Sequence, residues 1–144
     1  MIKQPNITPI SDLEYELVED YVYTWEHNFR DQRLTIPKGF IFDGASVPQI
    51  LWWTGLRPDG LLRAGALLHD WIYSMGSKPG NNGSHHYYYD YHGNGKWVVQ
   101  VKPWTRKQSD QIFSRAMREA EYPKWKRRIA YIAVRLFGRG AWSK

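Results

Sequence analysis

Four polar residues with the side-chain chemistry of a catalytic group fall on two stretches that are otherwise apolar. His69, Asp70 and Tyr73 stand in the segment HDWIY, and Asp110 follows later in the chain. His69 and Tyr73 are four residues apart, which places them on one face of a helix, while Asp70 points about a quarter-turn away. Asp110 heads an apolar stripe on the second helix. A carboxylate that faces a core costs several kcal/mol unless it is hydrogen-bonded or paired.

We predict that His69 is the partner of Asp110, because it is the other ionisable residue of a buried helix. A buried carboxylate fixes the tautomer of an adjacent imidazole and holds it basic, which is the arrangement of a general-base dyad. Tyr73 could donate its hydroxyl to the same carboxylate, leaving Asp70 to bind a cation or a substrate group. The alternative is structural: a buried His–Asp pair can simply join two helices, and the helix dipole favours a carboxylate in a first turn.

Three further residues are candidates for binding a substrate. Asp43 and Ser46 lie in the loop-like segment DGASVP, and Arg63 lies early in the apolar helix. Asp43, Ser46 and His69 can also be combined into a Ser–His–Asp triad. No strand–Gly-x-Ser-x-Gly–helix elbow surrounds Ser46, so the dyad is the favoured arrangement.

The composition limits the classes of protein to consider. The chain has 144 residues, 42% of them apolar and 16% aromatic, which predicts a single domain over residues 1–144. It has no cysteine, which excludes disulfide scaffolds, thiol nucleophiles and Cys-based zinc sites. The net charge of +6 favours encounters with anionic partners, although solubility accounts for it equally well.

The hydropathy of the chain bears on where it is found. The first residues lack the apolar segment of a signal peptide, and no apolar run approaches the roughly 20 residues of a membrane span. We therefore expect a protein that is not transmembrane and is made in a cytoplasm, from which lysis or packaging into a particle could export it. The sequence does not define the oligomeric state.

The N-terminal third has the alternation of β-strands. Residues 14–18 and 21–25 flank Glu19-Asp20 and predict a β-hairpin. Further strands are predicted at 33–36 and 40–42, on either side of a Pro-Lys-Gly turn.

The remaining chain favours helices. Residues 61–75, after a predicted N-cap at Asp59, are apolar nearly all round at first, as in a buried helix. Thr105 and Gln108 form a capping box for a helix that ends near residue 121, and Pro123 and Gly138 suit the two ends of the last helix. The predicted fold class is α+β: N-terminal antiparallel sheet and hairpins packed with about three α-helices.

Residues 77–101 are rich in Gly, Asn, His and Tyr and predict an inserted β-hairpin that stands away from the core. His85, His86, Asp90 and His92 have metal-ligand chemistry but no recognised spacing. A hairpin of this composition is more typical of a contact surface, for example against another subunit.

The last helix combines a basic and an apolar face. Its apolar face has helical spacing and consists of Trp125, Ile129, Ile132, Ala133 and Leu136. The favoured interpretation is an ordinary helix that packs this face on the core and solvates its basic residues. The alternatives are binding to an anionic lipid surface or to nucleic acid, and no nucleic-acid motif supports the latter.

Four segments in order, IPKGFIFDGASVP, ALLHDWIY, SDQIFSRAM and IAVRLFGRGAW, resemble family 1353 of the domains of unknown function. The resemblance covers most of the chain from Leu34 onward, apart from residues 77–97. That family occurs largely in tailed phages and prophages, so the resemblance implies a phage origin and supplies no activity.

A shorter resemblance concerns the site itself. His69-Asp70-x-x-Tyr73 followed by Asp110 is similar to the active-site pattern of secreted phospholipases A₂. By motif position, this implies that His69 activates water, that Asp70 is a calcium ligand, and that Asp110 and Tyr73 support His69. The disulfides and the Cys- and Gly-rich calcium loop of those enzymes are absent here.

These observations predict a phage-encoded hydrolase with a His–Asp site that acts on ester or amide bonds of lipids or the cell envelope. Its expected partners are other phage proteins or an anionic envelope surface, and nucleic acid is less favoured. The alternative is a non-catalytic virion component, of the tail or baseplate, or a binding protein in which the polar residues are structural.

Overall fold

The computed structural model describes residues 2–11, 14–42, 62–75, 85–93 and 95–142. Asp43, Ser46 and the predicted N-cap Asp59 lie outside the described residues. Within them the chain forms strands and helices in the order β1 (Ile7–Pro9), β2 (Tyr15–Leu17), β3 (Tyr21–His27), β4 (Arg30–Ile36), β5 (Ile41–Phe42), α1 (Arg63–Met75), β6 (His86–Asp90), β7 (Lys96–Val99), α2 (Arg106–Glu119) and α3 (Lys124–Phe137), followed by a 3₁₀ turn, Gly138–Ala141.

The strands form two antiparallel sheets. Their orders are β1-β2-β5 and β3-β4-β6-β7. With three α-helices in the described part of the chain, this architecture confirms the predicted α+β class with N-terminal strands.

The β3–β4 hairpin is the longest pairing, and over most of its length buried residues alternate with partly or fully exposed ones. Tyr21, Tyr23, Leu34 and Ile36 turn inward and are buried. The connecting residues Asn28 and Phe29 both have positive φ, 51° and 61°, which is the backbone of a type I′ turn.

The predicted hairpin between residues 14–18 and 21–25 is wrong. β2 pairs with β1 and β5, whereas β3 belongs to the other sheet. The side chain of Asp20 accepts a hydrogen bond from the Lys38 backbone N–H at 2.8 Å. This bond ties the β2–β3 connection to the turn before β5, at the point where the chain passes from one sheet to the other.

The His- and Tyr-rich segment does contain an antiparallel hairpin, β6–β7, in which Asp90 pairs with Lys96. The prediction that it stands away from the core is wrong, because β6 also pairs with β4, Leu34 opposite His86. The hairpin therefore extends the larger sheet, and His86 is buried.

Helix α1 connects the strands with the other helices. Its residues Leu67, Leu68 and Ile72 are wholly buried and share one hydrophobic cluster with Leu34 and Ile36 of the sheet. A second cluster joins α2 to α3 through Phe113, Met117, Ala130 and Val134, with Leu62 and Tyr122.

The two C-terminal helices begin and end close to where the sequence predicts. The capping box of α2 is formed: Thr105 Oγ1 accepts from the Gln108 backbone N–H at 3.1 Å, and Gln108 Oε1 accepts from the Thr105 N–H at 2.9 Å. In α3, however, the buried residues are Ala130, Ala133 and Val134. The prediction that its large apolar side chains pack on the core is therefore wrong.

Candidate functional site

One face of α1 is built for close contact with α2. Gly65, His69 and Tyr73 succeed each other at four-residue intervals, so they line the same side of the helix. A Cβ on Gly65 would lie only 2.9 Å from Cδ1 of Phe113. The missing side chain therefore lets the Phe113 ring pack beside His69, with 5.0 Å between ring centroids.

The structure brings His69, Tyr73 and Asp110 together in one polar group. Oδ1 of Asp110 lies 2.5 Å from Nε2 of His69 and accepts a hydrogen bond from the Tyr73 hydroxyl at 2.7 Å. The imidazole and the phenol also contact each other, with ring centroids 4.0 Å apart. His69 and Asp110 are wholly buried, and Tyr73 nearly so.

Two arginines that the sequence analysis did not single out complete this group. Arg135 of α3 donates from Nη1 to Oδ2 of Asp110 at 2.8 Å. Arg106 donates from Nε to the Tyr73 hydroxyl at 3.2 Å, and from Nη2 to the Val134 carbonyl at 2.9 Å and to the Arg135 carbonyl. Because those carbonyls belong to the last turn of α3, Arg106 also caps the C-terminal end of that helix.

The end of α3 comes very near the polar group. A Cβ on Gly138 would be 2.8 Å from the Tyr73 hydroxyl oxygen, and the Trp142 ring meets Tyr73 edge-on at 5.0 Å. Three helices therefore converge on a single buried carboxylate.

The electrostatics favour an ionised Asp110 beside a neutral His69. Burial alone raises the pKa of Asp110, but the hydrogen bonds from His69, Tyr73 and Arg135 outweigh it and hold the pKa below its ordinary value. Burial lowers the pKa of His69, and the bond to Asp110 offsets this only in part. Burial and the bond to Asp110 raise the pKa of Tyr73, so its hydroxyl keeps its proton.

This protonation state fixes the imidazole tautomer. Because Asp110 is a carboxylate, Nε2 of His69 carries the proton and donates it, which leaves Nδ1 with a lone pair. Nδ1 is buried and has no hydrogen-bond partner among the residues that the structure describes. A lone pair of this kind is what a general base needs.

Two other predicted site residues, Arg63 and Asp70, lie in the described part of the chain and do not join the group. Arg63 opens α1, six residues before His69 and thus about 9 Å away along the helix axis, and its Nη1 donates to the Pro5 carbonyl at 3.3 Å. Asp70 points to another side of α1, where its backbone carbonyl accepts from Ser74 Oγ at 2.9 Å.

A metal site is not formed by the residues that the structure describes. No three His, Asp or Glu side chains within the described ranges come close enough to share an ion. Calcium requires six to eight oxygen ligands, and Asp70 supplies one carboxylate at most. In the β6–β7 hairpin, Asp90 accepts from the backbone N–H groups of His92 and Gly93 instead, at 3.1 and 3.0 Å.

A groove of about 620 Å³ lies elsewhere, between α2 and the larger sheet. Trp25, His86 and Trp104 contribute to its lining, and the His86 and Trp104 rings stack with centroids 4.5 Å apart. None of the residues of the polar group lines it. None of the described helices is long and apolar enough to cross a membrane.

Comparison with known proteins places the chain in a family. Residues 15–134 match the model of the family described as "Protein of unknown function (DUF1353)", so the chain belongs to it, as the four sequence segments indicate. No curated protein and no solved structure matches the chain.

Proposed function

We propose that this protein is a hydrolase in which His69 is the general base, acting on ester or amide bonds of lipids or of the cell envelope. The observation that carries the proposal is that one ring nitrogen of His69 is hydrogen-bonded to Asp110 and the other is not hydrogen-bonded to any described residue. Nε2 is held by Asp110 at 2.5 Å, while Nδ1 is unprotonated and unpartnered among the described residues.

The chemistry follows from that tautomer. Nδ1 would take a proton from water as the water oxygen attacks the carbonyl carbon of the substrate. Collapse of the tetrahedral intermediate would break the bond to the leaving group, which receives the same proton from Nδ1. Asp110 would stabilise the imidazolium between these two steps, and Tyr73 would keep the carboxylate oriented. No step requires a metal ion.

A purely structural role explains the hydrogen bond of His69 Nε2 to Asp110 but not Nδ1, which is unpaired among the described residues. The bond from Nε2 to Asp110 stabilises the contact between α1 and α2 whether or not the site is catalytic. Nδ1, in contrast, has no donor among the residues that the structure describes, and a buried acceptor left without a donor costs about 1–3 kcal/mol. A catalytic role gives a reason for retaining an imidazole at this position.

A second candidate function is favoured by the complete burial of His69 and Asp110. His69 and Asp110 expose no surface, and the described groove lies elsewhere. In this alternative the chain is a non-catalytic component of a phage particle, and the polar group only holds three helices together. The phage context, which rests on the sequence segments, belongs to both proposals.

The two candidates are separated by His69→Gln. Glutamine can place an amide N–H where Nε2–H lies, but it has no basic nitrogen, so the contact with Asp110 survives while general-base catalysis does not. The purified proteins are assayed on p-nitrophenyl esters, on amides and on phospholipid vesicles. We expect turnover by the wild type that falls in the variant by about 10²–10⁴-fold.

The pH dependence provides a second readout. Because burial lowers the pKa of His69, the wild-type rate should already be at its plateau at neutral pH and should fall only in acid. His69→Phe, which keeps a buried ring and has no basic nitrogen, serves as a second variant if the first fails to fold. Equal turnover by wild type and variants, or none by the wild type on any of these substrates, contradicts the hydrolase and favours the structural role.

A further inference from the structure

The outward face of α3 carries large apolar side chains in open contact with solvent. Trp125, Ile129, Ile132 and Leu136 are 59%, 40%, 55% and 67% exposed. Their spacing of four, three and four residues places them on one side of the helix, and we call them the α3 stripe. Phe137, 68% exposed, continues the apolar surface at the end of the helix.

The opposite face explains why the stripe is open. α3 is fixed to the rest of the protein by the small residues Ala130, Ala133 and Val134. The contact of Arg106 with the end of the helix and of Arg135 with Asp110 hold it in the same orientation. The helix therefore buries its small side chains and presents its large ones, the reverse of the usual distribution in a surface helix.

The charges beside the stripe identify what can cover it. Helix α3 contains five basic residues, Lys124, Lys126, Arg127, Arg128 and Arg135, and no acidic residue. Lys124 and Arg128 are exposed and lie on the helix next to the stripe. A symmetric pairing of two copies through this face would bring like charges together, which opposes such a dimer.

We propose that α3 binds the protein to an anionic lipid surface, with the stripe inserted at the level of the headgroups and the basic side chains over the lipid phosphates. A short helix with Trp, Ile and Leu on one face and Lys and Arg beside it has the chemistry of an interfacial membrane helix. This inference does not depend on the proposed hydrolase, although a lipid substrate would be presented to such a surface.

Co-sedimentation with vesicles tests the proposal. The full chain is mixed with vesicles of phosphatidylcholine alone, or of phosphatidylcholine with phosphatidylglycerol, at low and at high salt. We expect the wild type to bind the anionic vesicles, to bind neutral ones at least tenfold more weakly, and to be partly released by salt.

Two variants separate the apolar and the electrostatic contributions. Ile129→Ser/Ile132→Ser/Leu136→Ser removes most of the stripe, and Lys124→Glu/Arg128→Glu reverses two flanking charges while Arg135 stays in place. Each should weaken binding to anionic vesicles by about 30-fold or more. Because all five side chains are exposed, the variants should fold like the wild type.

Matched controls address total charge and total hydrophobicity. Lys38→Glu/Lys96→Glu makes the same change in net charge at exposed positions away from α3, and Val22→Ser removes an exposed apolar side chain from β3. Both should bind like the wild type, and so should His69→Gln, whatever its turnover. Failure of the wild type to bind anionic vesicles overturns the proposal, as does unchanged binding by the stripe variant. A concentration-dependent dimer that the stripe variant abolishes would assign the face to a second copy instead.

Discussion

Replacing Asp110 by Asn keeps the shape of the side chain, removes its charge and exchanges one acceptor for a donor. In the wild type, Oδ1 accepts from His69 and Tyr73 and Oδ2 accepts from Arg135. An amide can serve only one of these two sides. The less costly orientation keeps its oxygen toward His69 and Tyr73 and turns its N–H₂ toward Arg135, which is 34% exposed and can move into water.

The variant loses stability through three interactions, which are two hydrogen bonds and one ion pair of Asp110. Two hydrogen bonds to a charged acceptor become bonds to a neutral one, which lowers the contribution of each by about 1 kcal/mol. The Asp110–Arg135 ion pair is lost, but its contribution is limited to about 1 kcal/mol because the guanidinium is partly solvated. We expect Asp110→Asn to lower the free energy of unfolding by about 2–4 kcal/mol at pH 7.

The pH dependence gives the prediction its sign. The folded-state pKa of Asp110 lies below its ordinary value, so its charge stabilises the fold above the unfolded-state pKa, and that contribution is lost as the pH falls through the folded-state pKa. The difference in the free energy of unfolding between wild type and Asp110→Asn should therefore become smaller as the pH falls through the folded-state pKa of Asp110. His69 adds an opposite change at milder acidity: the Asp110 carboxylate raises its pKa in the wild type, so the variant loses more stability as His69 titrates, and the narrowing is measured below that range.

Urea unfolding followed by tryptophan fluorescence from pH 7 downward measures both quantities. Arg135→Gln is the matched control, because it removes only the donor to Oδ2, and it should cost about 1 kcal/mol. A loss below 1 kcal/mol for Asp110→Asn, or a gap that stays constant into acid, would refute the assignment of Asp110 as the charged centre of the three helices.

Three further changes are predicted from packing, backbone geometry and burial. Gly65→Ala should destabilise the protein by about 1–3 kcal/mol in urea, because its Cβ would meet Phe113 at 2.9 Å and the better helix propensity of Ala offsets only about 1 kcal/mol. Phe29→Gly should stabilise it by about 1 kcal/mol, seen as a higher Tm, because Phe29 is 94% exposed and is held at a φ of 61°. Burial lowers the pKa of His86 from 6.5 to about 4. The contribution of His86 to the free energy of unfolding is therefore fully present above pH 6.5 and is lost as the pH falls toward 4. The wild type should therefore lose about 2 kcal/mol more than His86→Phe between pH 7 and pH 5 in equilibrium unfolding.

The sequence identifies local arrangements more reliably than pairings between distant segments. The capping box of α2 and the shared face of His69 and Tyr73 depend on residues three or four apart, and both are present. The strand hairpin predicted around Glu19-Asp20 does not form, because β2 pairs with β1 and β5 while β3 pairs with β4. Strand periodicity defines which side of a strand is buried, but not which strand lies beside it.

The arginines of the polar group show the same limit. Arg135 lies in a basic stretch that resembles a solvated helix face, and no local pattern links it to Asp110, 25 residues earlier. Arg106 stands four residues before Asp110, a spacing typical of an ion pair, yet its donors go to Tyr73 and to the end of α3. Only the tertiary arrangement makes them part of the group.

Helix α3 shows why amphipathicity does not define an interface. Its periodicity identifies an apolar side, and the usual inference is that this side is buried. The structure buries the opposite face instead, where Ala130 and Val134 pack against Phe113 and Met117 of α2.

Stability and chemistry depend on different atoms of the polar group, which makes the two roles separable. Oδ1 and Oδ2 of Asp110 receive the bonds that join α1, α2 and α3, so changes there act first on the free energy of unfolding. Nδ1 of His69 joins nothing among the described residues, so its removal breaks no contact there: it relieves the cost of an unpaired buried acceptor and, in a catalytic site, lowers turnover. A variant pair in which Asp110→Asn unfolds easily while His69→Gln is stable but inactive would therefore support a catalytic site built on a structural joint. If His69→Gln instead keeps the wild-type rate, the polar group has only a structural role, which is to hold the three helices together.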